Sequence, residues 1–193
     1  APFEKLERQA RPLANKLANQ LQLPVIHSPQ AYAARGSKLS LRAAINTRFE
    51  QPFLADANPM PDGQQLAFAW CTDVSSSMVG MNAQMALTAS AMLHMVCCEF
   101  DIWHINWTFG AMHYVITPGM SEEEGLARLA WLQFNSATTV GFALDRALTS
   151  LRERPEAVKV CFVIHDGAPA DPDVVEDLVS KARADGIEVV GVG

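Results

Sequence analysis

Leu66-Ala67-Phe68-Ala69-Trp70-Cys71-Thr72-Asp73-Val74-Ser75-Ser76-Ser77-Met78 opens with six apolar residues and then turns abruptly polar. Six residues are strand length, and a run that is apolar at every position suits a strand covered on both faces, as central parallel strands are. Immediately downstream, Met81 to Phe100 is rich in Ala, Met and Leu and contains neither Pro nor Gly, which predicts a buried helix. Met78, Met81, Met85, Met92 and Met95 read as gap-filling core along that stretch.

The same alternation continues to the C-terminus. Ile102 to Phe109 reads as a second strand, and Gly110 turns it into a hairpin partner over His113 to Thr117. Ser121-Glu122-Glu123-Glu124 is a helix start, with a capping hydroxyl and acids in the first turn. Helices over Val140–Glu153 and Pro172–Asp185 alternate with strands over Val158–His165 and Ile187–Val192. This order predicts an α/β fold: a doubly wound, mostly parallel sheet with helices on both faces, whose ligands sit at the carboxyl ends of the strands.

Upstream of Gln64 the pattern differs. Leu6, Leu13, Leu17 and Leu21 recur at helical spacing between Phe3 and Leu23, with Pro12 expected to kink or split that helix and Pro24 to end it. From Val25 to Gly63 the chain is punctuated by Gly36, Pro29, Pro52, Pro59 and Pro61 and is locally basic, which predicts an irregular arm with one short helix. The expected division is therefore an N-terminal extension over 1–63 and an α/β domain over 64–193. Because the chain begins at Ala1 and stops at Val190-Gly191-Val192-Gly193, a strand exit, the domain is expected to be truncated at its C-terminal end and the chain to be a piece of something longer.

Composition narrows the function. A formal net charge of −6 without a long Lys/Arg block argues against nucleic acid, whose binding needs clustered positive charge. No stretch approaches the length of a membrane span and no secretory leader opens the chain, so a cytoplasmic location is expected. Cys71, Cys97, Cys98 and Cys161 form no Cys-x-x-Cys pair and read as reduced core thiols.

Three segments fall at or beside the carboxyl ends of expected strands: Asp73-Val74-Ser75-Ser76-Ser77, Ser136-Ala137-Thr138-Thr139-Val140-Gly141, and His165-Asp166-Gly167. All offer hard oxygen donors. Asp, Ser and Ser at alternate positions, in a chain leaving a strand for a helix, can converge on one point, and such a shell suits Mg²⁺, Mn²⁺ or Ca²⁺ better than Zn²⁺, which recruits Cys and His.

These segments resemble the von Willebrand factor A (vWA) family and its metal-ion-dependent adhesion site. Asp73-Val74-Ser75-Ser76-Ser77 matches the family's Asp-x-Ser-x-Ser signature, Thr138 stands where the family carries its metal-binding threonine, and Phe162-Val163-Ile164-His165-Asp166 is similar to the strand that ends in its second aspartate. The resemblance covers residues 64–193. It implies that Ser75, Ser77 and Thr138 bind one divalent cation directly, that Asp73 and Asp166 bind directly or through water, and that an Asp or Glu of a partner protein completes the shell. Ser136-Ala137 replace a usual pair of glycines, which leaves the choice between Thr138 and Thr139 open. The general layout also resembles bacterial vWA proteins that work with an AAA+ ATPase, of the cobaltochelatase and MoxR-associated kinds, and implies such a partner.

Other readings compete with a non-catalytic binding module. A Mg²⁺-dependent phosphatase or hydrolase could use Asp73 or Ser75 as nucleophile, yet no Gly-rich phosphate cradle or nearby cation accompanies the motifs. A structural subunit with a vestigial metal site is a third reading, and helix capping alone would explain Asp73, Ser75 and Ser77 if they stood without Thr138 and Asp166. His165 is expected to pack rather than pair with Asp166 as acid and base. His94, His104 and His113, with Cys97 or Cys98, match no standard zinc-ligand spacing and read as core or surface residues.

Overall fold

The computed structural model describes residues 2–21, 32–33, 38–39, 53–54, 66–109, 114–135, 139–167 and 169–193. Two compact units emerge, one made of residues 1–23 with 64–193 and the other of residues 24–63. Within the second, strands β1 (Tyr32–Ala33), β2 (Lys38–Leu39) and β3 (Phe53–Leu54) form a small antiparallel sheet with β3 in the middle. The short helix expected in this arm lies outside the described residues.

The first unit is the expected α/β fold. Helix α1 spans Pro2–Leu21; strand β4 spans Leu66–Asp73 and leads through a 3₁₀ turn, Ser76–Met78, into α2 (Met81–Glu99). Then come β5 (Trp103–Phe109), β6 (Tyr114–Ile116), α3 (Glu122–Ala130), α4 (Val140–Arg152), β7 (Val158–Ile164), α5 (Pro172–Ala184) and β8 (Ile187–Val192). The sheet runs β6-β5-β4-β7-β8, parallel throughout except for β6, which pairs antiparallel with β5 as expected; the turn read at Gly110 lies outside the described residues.

The continuous apolar character of β4 follows from its central place. Phe68 and Trp70 face one layer, formed by α2 with α1 and α3, while Ala67, Ala69 and Cys71 face the other, formed by α4 and α5. On the second face Leu144, Leu148 and Leu151 are fully buried along α4 at three- and four-residue spacing, the stripe expected of a helix lying on a sheet. The four cysteines are free thiols; Cys71, Cys97 and Cys161 are buried and Cys98 is half-buried.

Helix α1, placed by sequence in an extension over 1–63, belongs to the same compact unit as 64–193 and lies against α2 and α3. Its contact face is also different from the one expected. Leu13 is exposed, and the buried line is Leu6, Ala10, Ala14 and Ala18, with Leu17 half-buried. Every fourth residue of a helix falls close to one line, and three alanines along it allow the helix axes to approach closely. Pro12 lies on the exposed side and the helix runs on through it. Arg11 adds a polar tie, donating both to Glu7 and to Glu122 in the first turn of α3. Among the described residues, no helix is long and apolar enough to cross a membrane.

Ala14 is 1% exposed in this contact, so Ala14→Leu would overfill it; we expect a loss of about 1–3 kcal/mol, read as a lower urea midpoint. An unchanged midpoint would mean that α1 is not closely packed there.

Candidate metal centre

The chain leaves the carboxyl end of β4 for β5 on one side and later returns to β7 on the other, so β4 ends at the point where the winding reverses. Open α/β sheets form their ligand crevice at such a point. Asp73 is the last residue of β4, paired in register with Phe109, and the Val74 N–H donates to the Phe109 carbonyl at 3.4 Å.

Asp73 is fully buried. Its Oδ1 accepts the Ser75 N–H at 2.7 Å, a local turn that draws the chain away from the strand direction. The Ser75 and Ser77 hydroxyl oxygens then lie 2.9 Å apart, and Ser77 Oγ donates to Asp166 Oδ1 at 3.4 Å. Asp166 stands two residues beyond the end of β7, and its Oδ2 accepts from Asn82 Nδ2, in the first turn of α2, at 3.2 Å. Four of the five expected ligands are thus joined in one chain of polar contacts between the ends of β4 and β7. Thr138 lies outside the described residues. Thr139 is exposed at the start of α4, and its hydroxyl does not cap that helix.

The remaining oxygen, Asp73 Oδ2, is buried and has no hydrogen-bond partner among the described residues. A carboxylate shut away from water with one oxygen unpaired is costly unless a cation or donor faces it. Aspartate and hydroxyl oxygens are the donors that Mg²⁺, Mn²⁺ and Ca²⁺ select, so the residues present fit a hard divalent ion.

Two positioning residues escaped the sequence reading. Asn82 holds the outer oxygen of Asp166. Asp171 accepts from the Val140 N–H at 3.3 Å and the Gly141 N–H at 2.9 Å, so it satisfies the N-terminus of α4 rather than that of α5, the helix it precedes. Gly141 is required by this closeness, because a Cβ there would stand 2.5 Å from Asp171 Oδ2. An Asp before Pro172 signals a turn, but nothing local reveals a partner 30 residues earlier.

Two expectations change in detail. His165 is half-buried, and its Nδ1 accepts the Gly167 N–H at 3.2 Å, so the imidazole shapes the turn that carries Asp166. The methionine stretch divides: Met78 and Met95 are core, whereas Met81 and Met85 are 77% and 61% exposed. Residues 81 and 85 are one helical turn apart and share the solvent side of the first turns of α2.

No protein-family model and no curated protein matches the chain. Solved structures do resemble it. The conserved hypothetical protein BatB from Bacteroides thetaiotaomicron is 15% identical, over 66% of this chain and 66% of that one, with a TM-score of 0.51. Proximal thread matrix protein 1 from the mussel byssus is 16% identical, over 67% of this chain and 37% of that one, with a TM-score of 0.50. The fold is the mostly parallel α/β fold of these two structures. The vWF domain of the type V pili tip protein Mfa5 from Porphyromonas gingivalis is 14% identical, over 56% of this chain and 40% of that one, with a TM-score of 0.48. The chain therefore spans less than two thirds of each of these three structures, and at such identities the likeness to BatB and the thread matrix protein is one of fold: a five-stranded, mostly parallel sheet flanked by helices.

Asp171→Ala leaves two amides of α4 without their acceptor, so stability should fall by about 1–2 kcal/mol, measured by urea unfolding. An unaltered midpoint would remove Asp171 from any role in fixing the start of α4.

Proposed function

We propose that this chain is a divalent-cation-dependent protein-binding module in which Asp73, Ser75, Ser77, Thr138 and Asp166 hold one Mg²⁺, Mn²⁺ or Ca²⁺. The observation that carries this reading is the buried Asp73 Oδ2, without a partner among the described residues, beside the convergent oxygens of Ser75, Ser77 and Asp166. When bound, such an ion supplies an electrophilic position that a carboxylate of the partner can occupy. Asp73 and Asp166 balance a double positive charge between them, and the neutral hydroxyls add donors without adding charge.

The surface beside these residues supports a macromolecular partner. Val79, in the turn after the serines, is 66% exposed, and Met81 and Met85 continue an apolar rim along the start of α2. Flexible, polarisable methionines at a surface adapt to the shape of a protein partner. Asn82, between them in sequence, orients Asp166. The partner is thus a protein that presents an Asp or Glu within an apolar patch, and the resemblance of layout places an AAA+ ATPase among the classes to test. The module itself is non-catalytic in this reading, its residues serving to hold and orient.

Calorimetric titration of the metal-stripped chain with Mg²⁺ and Mn²⁺ should give one site per chain, lost in Asp73→Ala and in Thr138→Ala. Binding unchanged in both variants would place the cation elsewhere and overturn the reading.

A further inference from the structure

Away from the candidate adhesion site, at the opposite end of the sheet, three side chains meet that sequence spacing did not unite. His94 lies near the C-terminal end of α2, Cys98 follows it by one helical turn, and His104 is the second residue of β5. One donor atom from each lies within 4.8 Å of the others. Cys97, the alternative thiol, is buried in the core cluster, and His113 lies outside the described residues.

The hydrogen bonds of the two imidazoles determine their tautomers. His94 Nε2–H donates to the Ser121 carbonyl at 3.1 Å, and His104 Nδ1–H donates to the Ile102 carbonyl at 2.7 Å. A carbonyl only accepts, so each of these nitrogens must carry a hydrogen. A neutral imidazole has one N–H, which leaves His94 Nδ1 and His104 Nε2 as bare acceptors, and they face one another at 2.8 Å. Two lone pairs so placed require a cation, either a shared proton or a metal ion. A third donor, Cys98 Sγ, stands 3.7 Å from His94 Nδ1, and a shared proton would leave it without a part while a metal ion would take all three.

We propose that His94 Nδ1, Cys98 Sγ and His104 Nε2 form a second metal site, for a Zn²⁺-class ion, that joins α2 to β5. Imidazole nitrogen and thiolate sulfur are the donors that select such an ion, in contrast to the hard oxygens at the other end of the sheet. Each ligand imidazole already donates its remaining N–H to a backbone carbonyl, the outer support that metal-bound histidines use. The rings are also held from the sides. His104 stacks on Trp70, with centroids 5.8 Å apart and planes inclined by 8°, and α3 comes so close to His94 that a Cβ at Gly125 would stand 2.1 Å from its Nε2.

The dimensions require only local movement. Around tetrahedral Zn²⁺, nitrogens at about 2.0–2.1 Å stand about 3.3 Å apart, so the 2.8 Å pair opens by about half an ångström. Cys98 Sγ is 3.7 Å from both ring nitrogens of His94 and must swing toward Nδ1 to share an ion with it. Cys98 is half-buried, which leaves solvent access for a fourth ligand, water.

Cobalt(II) reports the site directly, because thiolate ligation gives a near-ultraviolet charge-transfer band that oxygen ligands do not. Titrating the metal-stripped chain with Co²⁺ should raise this band to saturation at one equivalent, with displacement by Zn²⁺. The band should vanish in Cys98→Ser, whose small change at a half-buried position preserves the circular dichroism, and should persist in Asp73→Ala. No band in the unmodified chain, or a band that survives Cys98→Ser, would overturn the proposal. The unmodified chain alone decides the matter if a variant fails to fold.

Discussion

A carboxylate buried at the end of the central strand is the constraint from which the rest of the site follows. Asp73 is shut away from water, one oxygen closed by the Ser75 amide and the other without a partner among the described residues. Charge in such a place is tolerated only when something positive or hydrogen-bearing stands opposite. The strand end is itself firmly held. On the α2 side, Asn106 Nδ2 donates to the Trp70 carbonyl at 3.1 Å and to Thr72 Oγ1 at 3.0 Å, and Thr72 Oγ1 lies 2.8 Å from Ser90 Oγ in α2. This buried polar seam ties β4, β5 and α2 together one residue before Asp73, so the aspartate is presented from a rigid element. Sites of this kind keep their geometry better than those built on loops alone.

The two faces of the sheet then play different parts. The α4 and α5 face is a plain apolar layer, closed at its edge by Asp171, which holds the first amides of α4. The α2 face carries most of the polar chemistry: Asn82 at one end of the helix, Ser90 in the middle, His94 and Cys98 near the other. A helix with polar groups toward the sheet at several levels is an expensive way to cover a core unless each group has a partner. The hard-oxygen cluster and the imidazole–thiol cluster occupy opposite ends of that helix and suit different ions.

Much of the fold was legible in sequence because β4 and α2 have unambiguous patterns: an unbroken apolar run for a strand covered on both sides, and a Pro- and Gly-free stretch for the helix that follows it. That Asp73, Ser75, Ser77 and Asp166 stand together beyond the ends of β4 and β7 was legible for the same reason, since the ends of these strands are well marked in sequence. What escaped was long-range. The leucines of α1 suggested one face, but close packing against α2 selected the alanine line, a choice that depends on the shape of the neighbouring helix. Asp171 resembles an ordinary helix start until α4 is seen beside it, and Met81 and Met85 look like core until the first turns of α2 leave them in solvent. His94 and His104 are separated by an interval that fits no short ligand motif, and only the return of the chain from α2 into β5 brings them together.

The central claim is that Asp73 Oδ2 faces a cation. Anomalous diffraction from crystals of the chain grown with Mn²⁺ tests it most directly. The account predicts a strong anomalous peak among Asp73, Ser75, Ser77 and Asp166, with Thr138 at its edge. Clear density for a protein donor on Asp73 Oδ2, with no anomalous peak within coordinating distance of it, would contradict the account.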